Sequence, residues 1–269
     1  MSRAPAPART RAPALVPVLL LAAACQSVPY TGRSHMILVS SSEETQMGEQ
    51  AYRETLKKAR LSTDEKDIET IRRVGLRIAK AADRPDFRWE FNLIQDDKTV
   101  NAWCLPGGKV AFYTGILPIT KDETGIAVVM GHEVAHALAR HGSERMSQGM
   151  IVNAGEKVAS VLLAGSSFLT QEVFGQAYGL GAELGVMLPF SRKQESEADH
   201  IGLILMAKAG YDPAEAAEFW KRMAKAMGGE GKGSSLAAFL RTHPPDEKRE
   251  HQIEEWLPDV KEKYYKPRQ

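Results

Sequence analysis

Residues 132–136 read His-Glu-Val-Ala-His, inside a stretch that is apolar on nearly every side. Gly125-Ile126-Ala127-Val128-Val129-Met130-Gly131 precedes it, and Ala137-Leu138-Ala139 follows. An apolar segment of this length with no polar face is a buried helix. Burying two imidazoles and a carboxylate in such a helix is costly unless something satisfies them. A metal ion does so. Positions i and i+4 share a helix face, so His132 and His136 can reach one ion together. Glu133 is rotated about 100° from His132 and about 60° from His136. It therefore reaches a water on that ion without taking a coordination position. Thr120-Lys121-Asp122-Glu123 offers a capping box for the helix start, independent of the motif.

Two ligands and a base from one turn is the arrangement of zinc peptidases. A catalytic zinc takes three protein ligands and leaves a position for water. Ser191-Arg192-Lys193-Gln194-Glu195-Ser196-Glu197-Ala198-Asp199 supplies the best third ligand. Ser191 and Gln194 form a second capping box. On that helix Glu195, Ala198, Asp199 and Gly202 share a face. Glu195 is positioned to ligate, and Asp199 to accept the free ring N–H of a ligand histidine. Small Ala198 and Gly202 let the two helices approach closely. Glu197 falls on another face and is expected in solvent.

The chain resembles a family of zinc metallopeptidases. It includes HtpX, the type I CaaX prenyl proteases, the Oma-type mitochondrial proteases, and the bacterial envelope proteins BepA and LoiP. The resemblance rests on His132 to His136, Ala139-Arg140-His141-Gly142, and Ser191-Arg192 leading to Glu195-x-x-Ala198-Asp199. Asn101-Ala102, Pro106-Gly107-Gly108 and Thr242-His243-Pro244 add to it. Val28-Pro29-Tyr30-Thr31-Gly32-Arg33 is similar to the small lipoprotein members, LoiP-like proteins above all. The resemblance implies one Zn2+ per chain on His132, His136 and Glu195, with Glu133 as base. It also implies an α+β, mainly helical, zincin-like domain, with a small antiparallel sheet beside the active-site helix. The implied activity is endopeptidase cleavage of misfolded or misassembled cell-envelope proteins, with outer-membrane assembly machinery as a partner. A zinc-stabilised chaperone or assembly factor without catalysis is the alternative, and Glu133 discriminates, because a structural site has no use for a base. In BepA-like relatives a loop histidine matching His243 closes the metal site, which would make His243 a regulatory fourth ligand. A lone histidine before a helix is otherwise structural.

The N-terminus reads as an export signal. Arg3, Arg9 and Arg11 precede an apolar run from Ala14 to Ala24, too short to span a bilayer. Ala22-Ala23-Ala24-Cys25 has the pattern of a lipoprotein cleavage site. The expected organisation is a signal peptide over 1–24, a tether over 25–42 lipidated at Cys25, and one metallopeptidase domain over 43–269. Gln26 favours the outer membrane, so the expected location is the bacterial periplasm, with the acyl chains on a membrane surface. Those three arginines account for the net charge of +1, so the remainder is slightly acidic and offers nothing for nucleic acid. Of two cysteines, Cys104 is left unpaired and reads as a packing residue.

Between these marks the chain predicts helices over 43–60, 64–82, 121–140, 143 into the 160s, 192–208, 213–227, 235–241 and 245–256. In the second helix Ile68, Ile71, Val74, Leu76 and Ile78 supply the apolar positions. Phe87, Trp89, Phe91 and Leu93 alternate with polar residues as a half-buried strand. Val100 to Leu105 and Lys109 to Thr114 read as further strands. Asn101, Ala102, Trp103, Cys104 and Leu105 form either a substrate-pairing edge strand or a structural hairpin. Gly149 to Leu188 forms either a lid or closely packed helices. Glycines and serines mark 228–235 as a loop. His35, His141, His200 and His251 receive no role.

Overall fold

The structure is a computed structural model that describes residues 25–150, 190–227, 233–243 and 248–267. The expected signal peptide, the 149–188 segment beyond residue 150, and most of the 228–235 loop lie outside them.

At the centre runs the predicted metal helix, α4 (Glu123–Leu138), in which every residue from Gly125 onward is buried. Two helices precede the sheet, α1 (Ser41–Lys58) and α2 (Glu65–Ala82). A one-turn helix, α3 (Leu117–Thr120), leads into α4, and α5 covers 141–150. Then come α6 (Arg192–Lys208), α7 (Glu215–Met227), α8 (Gly233–Thr242) and α9 (Lys248–Tyr264). The last is longer than expected. A hairpin of β1 (Cys25–Ser27) and β2 (Ser34–Met36) precedes them all.

The start of α4 differs from the expected capping box. Lys121 takes φ +73° and ends α3. Asp122 then caps α4, its Oδ1 accepting from the N–H groups of Thr124 at 2.9 Å and Gly125 at 3.0 Å. Glu123 is thereby released to accept from Arg73 and from the Tyr211 hydroxyl. The second capping box forms as predicted at Ser191 and Gln194.

Strands β3 (Glu90–Ile94), β4 (Ala102–Leu105) and β5 (Lys109–Tyr113) form one sheet in the order β3-β5-β4. The expected antiparallel sheet is therefore mixed: β4 and β5 run antiparallel, β3 and β5 parallel. The reason is local. Gly107 and Gly108 take φ +84° and +80°, which side chains resist, and make the tight turn that folds β5 back on β4. The loop after β3 carries the chain to the far edge first, so β5 fills the gap. Phe91, Leu93, Ala102, Cys104, Val110 and Phe112 face the main core shared with α2, α4 and α6. Ile94, Trp103, Leu105 and Ala111 alternate to the other face, covered by Ala51 and Tyr52 of α1. In α2, Ile71, Val74 and Ile78 are buried as predicted, but Leu76 is 63% exposed. It lies between the rows that i, i+3 and i+4 spacing points inward.

The segment expected as a tether is folded onto the domain. Val28, Ile37 and Val39 are buried. The Arg33 guanidinium donates to Glu144 on α5 at 2.7 Å and to Glu197 on α6 at 2.6 Å. Among the described residues no helix is long and apolar enough to cross a membrane.

Helices α4 and α6 cross where each has a glycine. A Cβ on Gly202 would lie 3.1 Å from the His132 backbone nitrogen, and one on Gly131 would lie 3.0 Å from the Gly202 carbonyl oxygen. Both obstacles are backbone and cannot rotate aside. Gly202→Ala gains about 1 kcal/mol of helix propensity. Overpacking at the crossing costs about 1–3 kcal/mol, and the rigid obstacles put it at the upper end. Denaturant unfolding is expected to show a net loss of stability. A midpoint at or above that of the parent would show slack between the helices.

Candidate active site

Helix α4 aims His132 and His136 at the N-terminal turn of α6. Their Nε2 atoms lie 3.0 Å apart. Glu195 meets both: Oε2 is 3.5 Å from His132 Nε2 and Oε1 is 3.4 Å from His136 Nε2. His243, just beyond α8, adds its Nδ1 at 3.0 Å from Glu195 Oε1 and 3.3 Å from His132 Nε2. One ligand atom from each of these four buried residues lies within 4.8 Å of every other.

The donors fit a metal on their own chemistry. His132 Nδ1 faces Asp199 Oδ1 at 3.0 Å, so its proton belongs on Nδ1. The Nε2 lone pair then points into the cluster. His136 Nδ1 is likewise engaged, at 2.9 Å from His141 Nδ1. Two ring lone pairs and a carboxylate converging at such distances repel one another unless a cation sits between them. Two nitrogens on a tetrahedral zinc ion at 2.0–2.1 Å would stand about 3.3 Å apart, close to the spacing seen.

Burial and neighbouring charges together set the protonation states. Burial is the largest influence on His136 and holds the ring well below its ordinary pKa, hence neutral. Burial alone would raise Glu195, but His243 and Arg249 more than offset it and keep the carboxylate ionised. For His132 without a metal, burial opposes the charged ring, yet Asp199 and Glu195 prevail and raise the pKa to about 9, so a bound cation takes the place of the Nε2 proton. Burial raises Glu133, a shift toward stronger basicity. Glu133 Oε1 has no hydrogen-bond partner among the described residues and lies 3.4 Å from His243 Nε2.

The predicted residues His132, Glu133, His136, Glu195 and Asp199 thus come together, with His243 beside them. Four of the five expected edge-strand residues, Asn101, Ala102, Trp103 and Cys104, line the same cleft. Leu105 packs in the core instead. Strand β4 is an edge of the sheet. Cys104 is a free thiol, held protonated by burial. The cleft is closed around His243, Thr242 and Phe190, with about 10 Å³ of internal space, room for about one water molecule. Phe190 stacks on His136 at 3.9 Å, and Phe239 on His243 at 4.6 Å.

Three site residues escaped the sequence reading. Arg249 on α9 grips Asp199 with two 2.7 Å hydrogen bonds, reaches Glu195 at 3.0 Å, and lies over the Trp220 ring. Its position in the polar run Lys248-Arg249-Glu250 carries no signal. Glu197, expected in solvent, is buried, because the N-terminal hairpin covers that face of α6. It accepts from the Thr31 hydroxyl, from Arg33 and from His141 Nε2. His141, given no role, is fully buried between Glu197 and His136. The Arg-His after the motif was the available clue.

Comparison with known proteins decides the family. The sequence pattern of Peptidase family M48 matches residues 65–257. This chain belongs to peptidase family M48. It is a metalloendopeptidase of that family, as its relatives' names state. It is 39% identical to the mitochondrial metalloendopeptidase OMA1 of Schizosaccharomyces pombe, over 88% of this chain and 67% of the relative. It is 31% identical to the Saccharomyces cerevisiae OMA1, over 88% and 70%. It is 27% identical to the beta-barrel assembly-enhancing protease of Escherichia coli, over 83% of this chain and 45% of that protein. The expected bacterial periplasmic, outer-membrane location is corrected by this M48 comparison. The relatives of higher identity are named as mitochondrial, and point to a mitochondrial protein instead.

Glu197 yields a pH prediction. Burial alone would raise its carboxyl, but hydrogen bonds from His141, Thr31 and Arg33 hold it at about 2, below its ordinary 4.5. Between those values the unfolded chain binds the proton and the folded one does not. The stabilisation is present above 4.5 and drains as the pH falls toward 2. Arg33→Gln should flatten the slope of stability against pH in that window, measured by urea unfolding of the metal-free protein. An unchanged slope would remove the ion pair from the account.

Proposed function

We propose that this chain hydrolyses peptide bonds within extended, locally unfolded stretches of protein substrates. In this reading His132, His136 and Glu195 hold one Zn2+ and Glu133 is the general base. The observation that carries it is the convergence of those three buried donors beside a buried carboxylate that has an unused oxygen. Two imidazoles and one carboxylate suit zinc. Bound there, the ion lowers the pKa of a water toward 7 and polarises the scissile carbonyl.

The residues divide the remaining work. Glu133 takes a proton from the attacking water as its oxygen bonds to the carbonyl carbon. It returns that proton to the amine as the C–N bond breaks. Its raised pKa suits both transfers. Asp199 keeps His132 in its ligating tautomer, and Arg249 keeps Asp199 ionised and in place. Strand β4 is the sheet edge beside α4, buried under the closed cleft; once that cleft opens, the edge can pair with an extended peptide, and main-chain pairing gives affinity without demanding one sequence. Unfolded proteins are therefore the partners this reading selects.

His243 gates the site. With its Nδ1 in the donor cluster and its Nε2 toward Glu133, it stands where substrate and water must enter. A four-ligand closed site is also what a structural zinc has, and this favours the alternative of a non-catalytic chaperone or assembly factor. The two readings part on variants. Glu133→Gln should keep zinc, measured by metal analysis, and lose about 10²–10⁴-fold in casein cleavage. Retention of full cleavage would remove the base assignment. His243→Ala should cleave casein faster than the parent, and a chelator should abolish cleavage in both. If the zinc-loaded His243→Ala protein cleaves nothing, the non-catalytic alternative stands.

A further inference from the structure

The Val28-Pro29-Tyr30-Thr31-Gly32-Arg33 segment has no part in the function described so far, yet it reaches toward the metal site. Thr31 and Arg33 both hydrogen-bond Glu197. Glu197 faces His141 Nε2 at 3.0 Å, and His141 Nδ1 faces His136 Nδ1 at 2.9 Å. Arg33 is itself clamped by paired 2.7 Å hydrogen bonds to Glu144, which also accepts from Gln194 at 3.0 Å. The line runs from the N-terminal hairpin to a metal-facing imidazole through buried groups.

Proton placement along this line is determined. An ionised carboxylate only accepts, so the contact with Glu197 requires N–H on His141 Nε2. A neutral His141 then has a bare Nδ1 that must accept. Among the described residues, the hydrogen that faces it is the one on His136 Nδ1. His136 Nε2 is left with its lone pair directed at Glu195, His132 and His243. A misplaced proton on His136 Nε2 would block ligation outright.

We infer that Thr31, Arg33, Glu197 and His141 are positioning residues that hold His136 in its metal-binding tautomer, and that the N-terminal hairpin is thereby part of the metal site. The inference rests on the reading of His136 as a ligand. It makes the two imidazoles equivalent in design. His132 is oriented by Asp199 under Arg249, and His136 by Glu197 under Arg33 with one imidazole interposed. Arg33 acts on geometry: its fork fixes the carboxylate that fixes His141.

The test measures zinc affinity by competition with a chelator, and the ring 15N shifts of His136 in the metal-free full chain. The parent should carry the His136 proton on Nδ1. His141→Phe removes the acceptor at constant bulk and should weaken zinc binding about 10–100-fold. His141→Asn places an oxygen near the lost Nδ1 and should recover most of that affinity, which a purely structural role would not do. Arg33→Gln should weaken binding about tenfold, the low end for an outer partner, with Arg33→Lys intermediate. Failure of the parent to bind zinc would sink the proposed metal site itself. A zinc-binding parent with unchanged affinity in His141→Phe and Arg33→Gln would overturn the inference alone. So would equal losses in His141→Phe and His141→Asn, or a His136 proton found on Nε2. Should His141→Phe not fold, the parent spectrum and Arg33→Gln still decide.

Discussion

The close approach of α4 and α6 at Gly131 and Gly202 is the constraint on which the rest of this structure depends. It brings the first turn of α6 within reach of the third and fourth turns of α4. Only then can Glu195 meet two imidazoles whose own spacing is set by a single helix. Neither helix could bury its charged residues alone. Together they convert several costly buried groups into one mutually satisfied cluster, given a cation at its centre. The surrounding apolar packing, with Ala127, Ala135, Ala198 and Ile201 fully buried, holds that separation.

Around the cluster, polar side chains are arranged so that each proton has one place. Asp199 and His141 occupy the outward nitrogens of the two cluster imidazoles; Arg249 holds Asp199 directly, and Glu197 holds His141 with Arg33 behind it. This explains an otherwise odd density of buried charge in a domain of modest size. The groups are hydrogen-bonded in series, so the desolvation of each is offset by its neighbour. Removing one member leaves the next unpaired.

Much of this was legible in the sequence, for reasons that can be named. The metal helix was readable because burial and metal chemistry both act through i, i+4 spacing. Glu195 and Asp199 were readable because they share one face with two small residues. The span of α6 followed from its capping box. The rest depended on contacts between distant segments. Glu197 looked solvated because only α4 was considered as a neighbour of α6, and the hairpin that covers it is more than 160 residues away. Arg249 and Arg33 sit in polar surroundings that look the same whether exposed or buried. Strands of only three residues, too short to show a period, disguised this segment as a tether. The parallel pairing of β3 with β5 follows from the order of two turns, which periodicity does not encode. The location was read from the first 26 residues and from the likeness of residues 28–33 to small lipoproteins, both local patterns, and relatives matching up to 88% of the chain overturned it.

The two arginine clamps lie far apart in sequence, at positions 33 and 249, and both are needed to complete the centre. Long-range contacts of this kind form late, after the intervening chain has collapsed. A partially synthesised copy emerging from the ribosome would carry the histidine pair but lack the second brace and the gating ring at position 243. Under the proposed gating, the second brace and the gate are completed by the same last stretch of chain.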